Sequence, residues 1–168
     1  MAAQQNNYLW EMCRDGKLVE VSEALQAGAD PNTKGGSMDG YLVDSVTCLM
    51  VAIWKNHEEV VDLLLAQPGI EVNAKDSRKE TALYYACRSG NVVILSKLLA
   101  VPGILVNERN CYNHGWTPIM EATAQGKPDV IRVMAAVDKV ILDVEQEGCN
   151  VHARCIGWTC PLESMVPW

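Results

Sequence analysis

Several stretches of this chain lie on one another in register. Thr47 to Asn73 reads TCLMVAIWKNHEEVVDLLLAQPGIEVN, Thr81 to Asn107 reads TALYYACRSGNVVILSKLLAVPGILVN, and Thr117 opens TPIMEATAQGKPDVIRVMAAV. Asn7 to Asn32, NYLWEMCRDGKLVEVSEALQAGADPN, is a looser copy. Ala52, Ala86 and Ala122 occupy the same point of their units, 34 and then 36 residues apart. A period in this range marks a stacked array, in which each unit is one supersecondary element and neighbours share a continuous core.

The unit from Thr81 to Asn107 shows why stacking is required. A first helix is expected over Ala82–Ser89, capped by the Thr81 hydroxyl on an unpaired amide of the first turn. Ser89-Gly90-Asn91 breaks it, with Gly90 free to take the left-handed conformation that closes a helix. A second helix is expected over Val92–Ala100, with Val93, Ile94, Leu98 and Leu99 as its apolar stripe, until Pro102-Gly103 stops it. Ile104, Leu105 and Val106 then form an extended piece ending at Asn107. Two helices of roughly eight residues are too short to persist alone in water, so the unit must lean on its neighbours.

The 168 residues suit a single domain with a continuous core. No apolar run reaches the ~18 residues of a membrane helix, and residues 1–6, MAAQQN, lack the regions of a secretory signal. The expected compartment is the cytoplasm, with the nucleus as the other option. The net charge of −7 argues against nucleic acid, which needs a basic footprint, and against insertion into or binding on an anionic membrane. Seven cysteines is an odd count. Cys13, Cys48 and Cys87 fall inside first helices, where reduced cysteine packs as a small hydrophobe.

With these residues in view, the chain resembles the ankyrin-repeat family. The family's T-P-L-H-x-A pattern is matched by Thr117-Pro118-Ile119-Met120-Glu121-Ala122, and more weakly by Thr81-Ala82-Leu83-Tyr84-Tyr85-Ala86 and Thr47-Cys48-Leu49-Met50-Val51-Ala52. Its G-A-D-V-N pattern appears as Gly28-Ala29-Asp30-Pro31-Asn32, Gly69-Ile70-Glu71-Val72-Asn73 and Gly103-Ile104-Leu105-Val106-Asn107. The resemblance covers residues 7–137 well and the last thirty less well. It implies an all-α solenoid of four to five helix-turn-helix units with β-turn finger loops, in one domain spanning 1–168. The units are 7–32, 45–73, 79–107, 115–145 and a partial 157–168.

The first unit departs from the pattern. Asn7, Trp10 and Met12 stand where Thr, His and Ala would, as suits a cap with no neighbour on one side. Its second helix turns Val21, Ala24 and Leu25 inward. A long loop, 33–45, is inserted before the second unit. After Val137 the register blurs. A fifth unit opening near Cys160 ends at Trp168 before any second helix, so the expectation is a chain cut from a longer protein. The other solution folds Met165, Val166 and Trp168 back as a lid.

The function implied by the resemblance is protein–protein recognition through the concave face of loop tips and first-helix ends, with no catalysis and no cofactor, by a monomer. Carried over position by position, that face comprises Tyr41, Val43, Asp44, Val46, Trp54, Lys55, Ser77, Arg78, Glu80, Tyr85, Arg88, Ser89, Asn113, His114, Trp116 and Gln125. The set is rich in the Trp, Tyr and Arg that dominate interface energetics. His57 falls at the inter-helix turn, where the family places a histidine that bonds the backbone. The family is also modified by asparagine hydroxylation, for which Asn73 fits, with Glu71 and Leu65 before it.

Two alternatives stand beside this reading. Cys149, His152, Cys155 and Cys160 are spaced C-x2-H-x2-C-x4-C, a ligand set suited to tetrahedral zinc. The chain could equally be the N-terminal recognition piece of a larger scaffold or adaptor. Enzymatic chemistry has little support: His114, on a loop tip, has no nucleophile or carboxylate partner in sequence, and no phosphate-binding or nucleophile-elbow motif is present.

Overall fold

The structure, a computed structural model, describes residues 2–36, 43–111 and 115–137. Among them are four helix pairs: α1 (Ala2–Asp15) with α2 (Leu18–Gln26), α3 (Cys48–Trp54) with α4 (Glu58–Leu65), α5 (Ala82–Ser89) with α6 (Val92–Leu99), and α7 (Pro118–Ala124) with α8 (Pro128–Ala135). First helices pack on first helices, α1 on α3 on α5 on α7, and second helices follow behind, α2 on α4 on α6 on α8. The only sheet among the described residues is a short antiparallel ribbon, β1 (Lys34–Gly35) with β2 (Val46–Thr47), in the first finger. This is the all-α repeat solenoid that the resemblance implies.

The local signals operate through hydrogen bonds that can be named. Thr81 Oγ1 accepts from Tyr84 N at 3.4 Å, and Thr47 Oγ1 from Met50 N at 3.2 Å. Thr47 N in turn donates to the Met50 sulfur at 3.4 Å, so a thioether completes that capping box. Thr117 holds the same extended backbone but caps nothing with its side chain. Gly90 closes α5 in the left-handed conformation, φ 85°.

Two departures are informative. α1 starts at Ala2, earlier than the unit boundary near Asn7 suggests; Ala and Gln are good helix formers, and no Gly or Pro stands between Ala2 and Asn7 to break the helix. On α6 the buried stripe is Ile94, Leu95 and Leu98, while Val93 is half exposed at 51 % and Leu99 only partly covered. The Asn91 cap accepts from both Val93 N and Ile94 N, and Val93 lies in the first turn, outside the buried stripe. On α2 the inward set is as expected: Val21 and Ala24 are buried and Leu25 packs, partly covered, against the core.

The core runs unbroken along the stack. Ala52, Ala86 and Ala122 are fully buried, as are Cys13, Cys48 and Cys87. A hydrogen bond to Cys13, with burial, pushes the Cys48 thiol far above its usual range, and burial does the same for Cys87. Such thiols are inert core groups rather than nucleophiles.

Polar struts set the spacing between units. Asn32 donates to Gly69 O at 3.0 Å and accepts from Glu71 N at 2.8 Å. Asn73 repeats this one unit later, with Gly103 O at 2.9 Å and Leu105 N at 2.9 Å. His57 Nε2 lies 3.0 Å from Arg14 O, the backbone bond expected of it. Gly16 must be glycine there: φ is 71°, and a Cβ would sit 2.5 Å from the His57 ring.

Candidate functional site

The fingers and the ends of the first helices form one continuous front. Backbone bonds tie the finger tips together. Ser77 N donates to Asp44 O at 2.9 Å, Asp44 N donates to Ser77 Oγ at 3.0 Å, and Cys111 N donates to Arg78 O at 2.8 Å. Within the second finger, Asp76 Oδ1 accepts from Arg78 N and Glu80 N, both at 2.8 Å. This carboxylate turn lets Lys79 sit at φ 60°.

Behind the fingers lies a buried polar cluster centred on Arg88. Its two terminal nitrogens grip Glu80, Nη1 to Oε2 at 3.0 Å and Nη2 to Oε1 at 2.8 Å, and its Nε donates to Glu121 Oε1 at 2.8 Å. Tyr84 Oη donates to Glu121 Oε2 at 2.8 Å, and Tyr85 Oη to Asp76 Oδ2 at 2.7 Å. Asn110 Nδ2 reaches Tyr84 Oη at 2.8 Å and Glu80 Oε1 at 3.3 Å, while Asn110 Oδ1 accepts from Trp116 N at 3.0 Å. Gln125 Nε2 adds a bond to Glu121 Oε1 at 3.2 Å. The guanidinium also lies over both rings, 5.0 Å from the Tyr84 centroid and 5.7 Å from that of Tyr85.

Burial shifts the protonation of this cluster. It pushes the Glu80 carboxyl above the usual range, against the opposing pull of Arg88 and with help from the nearby Asp76 charge. It pushes both tyrosines up too, with Glu121 adding for Tyr84 and Asp76 for Tyr85. Arg88 goes up despite burial, because Glu80 and then Glu121 hold its proton.

These contacts redraw the front expected from sequence. Val43, Val46, Glu80 and Tyr85 are buried, with no more than 2 % of their surface exposed, so none can meet a partner in this conformation. The reasons differ. The first finger turns Val43 and Val46 onto the core and leaves Asp44 outside, and Val46 O accepts Trp10 Nε1 at 2.8 Å. Glu80 is drawn in by Arg88, and Tyr85 by Asp76. Asp44, Ser77 and Gln125 are exposed; Trp54, Lys55, Arg78, Arg88, Ser89 and Trp116 are half buried. Trp54 stands edge-on to Tyr85, centroids 6.1 Å apart and planes at 89°. Tyr41, Asn113 and His114 lie outside the described residues, as do Cys149, His152, Cys155 and Cys160. Among the described residues no group of three or more His, Cys, Asp or Glu is placed to hold a metal ion.

Sequence reasoning missed Glu121, Tyr84, Asn110 and Asp76. The repeat register held a signal for one of them: Glu121 is the residue before Ala122, as Tyr85 is before Ala86, so stacking had to bring a carboxylate beside the Tyr85–Arg88 turn.

Residues 49–146 match a family model described as ankyrin repeats in three copies. The chain belongs to the ankyrin-repeat family. Three curated ankyrin relatives show how far the likeness extends. The ankyrin repeat and KH domain-containing protein mask-1 of Caenorhabditis elegans is 32% identical over 137 residues, 79% of this chain and 5% of that protein. The mouse protein fem-1 homolog A-like is 33% identical over 88 residues, 52% of this chain and 13% of that protein. The probable 26S proteasome regulatory subunit p28 of Saccharomyces cerevisiae is 32% identical over 117 residues, 70% of this chain and 48% of that protein. The chain therefore spans less than half the length of each. Ankyrin repeats are protein-interaction modules. No helix among the described residues is long and apolar enough to cross a membrane.

Proposed function

We propose that this ankyrin domain binds another protein, as a monomer and without chemistry of its own, through the front formed by its fingers and first-helix ends. The contact set that remains after burial is accounted for is Asp44, Trp54, Lys55, Ser77, Arg78, Arg88, Ser89, Trp116 and Gln125. The observation that supports the reading best is Trp54. Tyr85 beneath it is wholly buried and Trp10 nearly so, yet Trp54 stays partly open at the groove. Trp116, pinned through its backbone to Asn110, is a second half-open aromatic further along. Trp is the residue type most enriched at interface hot spots. The buried, reduced thiols suit the cytoplasm or nucleus. Asn73 is the proposed acceptor for hydroxylation, at a Cβ whose amide already bridges two units.

The test is capture from a native cell lysate on immobilised wild-type, Trp54→Ala and Trp116→Ala protein, followed by affinity measurement on the captured partner. Each substitution should cost ~2 kcal/mol of binding or more with thermal unfolding little changed. Equal affinity for all three would remove the groove around the two tryptophans as the binding surface.

A further inference from the structure

Charge is segregated between the back and the front of this acidic protein, and the pattern points to the chemistry of the partner. The back helices α2, α4, α6 and α8 carry Glu20, Glu23, Glu58, Glu59, Asp62 and Asp129 against Lys97 and Arg132, a net of −4. Outside the buried cluster, the fingers carry Lys34, Lys75, Arg78, Lys79 and Arg109 against Asp44 and Glu108, a net of +3 among the described residues. The buried cluster behind them holds three carboxylates and one guanidinium. Its lone pairs are taken up by Arg88, two tyrosine hydroxyls, Asn110 and backbone N–H groups. With the cluster also counted, the front remains positive among the described residues.

The cations are also ordered. The Arg78–Cys111 backbone bond sets the second finger beside the third, which carries Arg109, and the Ser77–Asp44 bonds set it beside the first, which carries Lys34. Lys79 and Arg109 are exposed. Such a row across three fingers offers repeated donors, and a guanidinium matches a carboxylate with two parallel bonds. The acidic back repels the same ligand, so an approaching polyanion is steered to the front.

We infer that the front takes a carboxylate-rich segment of its partner protein, laid across the fingers over Lys34, Arg78, Lys79 and Arg109. This rests on the binding surface proposed above and adds the class of ligand.

The experiment is fluorescence anisotropy with a labelled poly-glutamate peptide, a poly-lysine peptide of equal length and a single-stranded oligothymidylate. Poly-glutamate should bind and poly-lysine should not, and the affinity should fall about tenfold or more between ~0.05 M and ~0.3 M salt. Arg78→Glu with Lys79→Glu and Arg109→Glu should weaken poly-glutamate binding at least about tenfold, while Lys97→Glu with Arg132→Glu on the back should not. Arg78→Lys with Arg109→Lys, which keeps the charge, should retain most of the binding and controls for damage to the fingers. No poly-glutamate binding, a preference for poly-lysine, or indifference to the front reversal would each overturn the inference. Tighter binding of the oligothymidylate would overturn it in favour of nucleic acid. The two proposals separate cleanly. If front reversal abolishes poly-glutamate binding but the tryptophan variants capture the partner normally, the groove proposal fails and the acidic ligand stands. If the tryptophan variants lose the partner but front reversal leaves poly-glutamate binding intact, the groove stands and the acidic ligand fails.

Discussion

Arg88 Nε donates to Glu121 Oε1 at 2.8 Å, joining the end of α5 to the middle of α7 across 33 residues of sequence. The guanidinium that makes this bond is 15 % exposed and the carboxylate 2 %. The junction between the third and fourth units is therefore specified by charge, whereas α3 meets α5 chiefly through apolar side chains. A buried pair of this kind is weak evidence for extra stability, since burying both charges costs about as much as their attraction returns. Its effect is on register: α7 fits α5 where Glu121 can meet both Arg88 and Tyr84.

Removing the cation should be far worse than removing the whole cluster. Arg88→Leu leaves Glu80 and Glu121 buried without a counter-charge and should lower unfolding free energy by about 3–5 kcal/mol, read from urea unfolding. Replacing Arg88, Glu80 and Glu121 together by apolar residues of similar volume should recover much of that loss. No recovery in the triple variant would show that the network carries net stability after all.

Glu80 imposes a pH dependence whose sign follows from its environment. Its folded-state carboxyl is raised above the ordinary 4.5, chiefly by burial. Between that value and the raised one the folded protein binds more protons than the unfolded chain, so stability increases as pH falls through this window. Glu80→Gln cannot titrate and should flatten the slope of urea midpoint against pH in the mildly acid range. An unchanged slope would assign the dependence to other groups.

Thr117 and Thr81 should respond oppositely to the same substitution. Thr81 caps α5, so Thr81→Val should destabilise by about 1 kcal/mol. Thr117 Oγ1 is buried with no hydrogen-bond partner, so Thr117→Val removes an unsatisfied hydroxyl without losing a cap. It should be neutral or stabilising by up to ~1 kcal/mol. Thermal unfolding of the two variants side by side decides it, and a loss at position 117 equal to that at 81 would mean that the hydroxyl has a partner in solution.

Asn73 should be sensitive in proportion to what it bridges. Asn73→Ala orphans Gly103 O and Leu105 N, both near solvent, and should cost ~1–2 kcal/mol. Asn73→Asp keeps the bond from Leu105 N but turns a carboxylate oxygen on the Gly103 carbonyl, and should cost no less. If Asn73 is hydroxylated in cells, its peptide should carry one added oxygen by mass spectrometry, and the peptide of Asn32, which has Ala24 where Asn73 has Leu65, should not.

The period of the alanines, the threonine caps, the Pro-Gly stops and the asparagines at the loop ends are local or strictly repeated features. Each depends on residues close in sequence or on a neighbour one period away, so the sequence by itself determined the solenoid, its helices and the position of the front. Whether a given front position faces water was decided only in three dimensions. Tyr85 and Glu80 occupy places that the repeat pattern assigns to the front. Here Asp76 captures the phenol, and Arg88 compensates the carboxylate, so both turn inward. That choice depends on side chains brought together across units, where desolvation and Coulomb attraction nearly cancel, and no one-dimensional pattern records which of the two is larger.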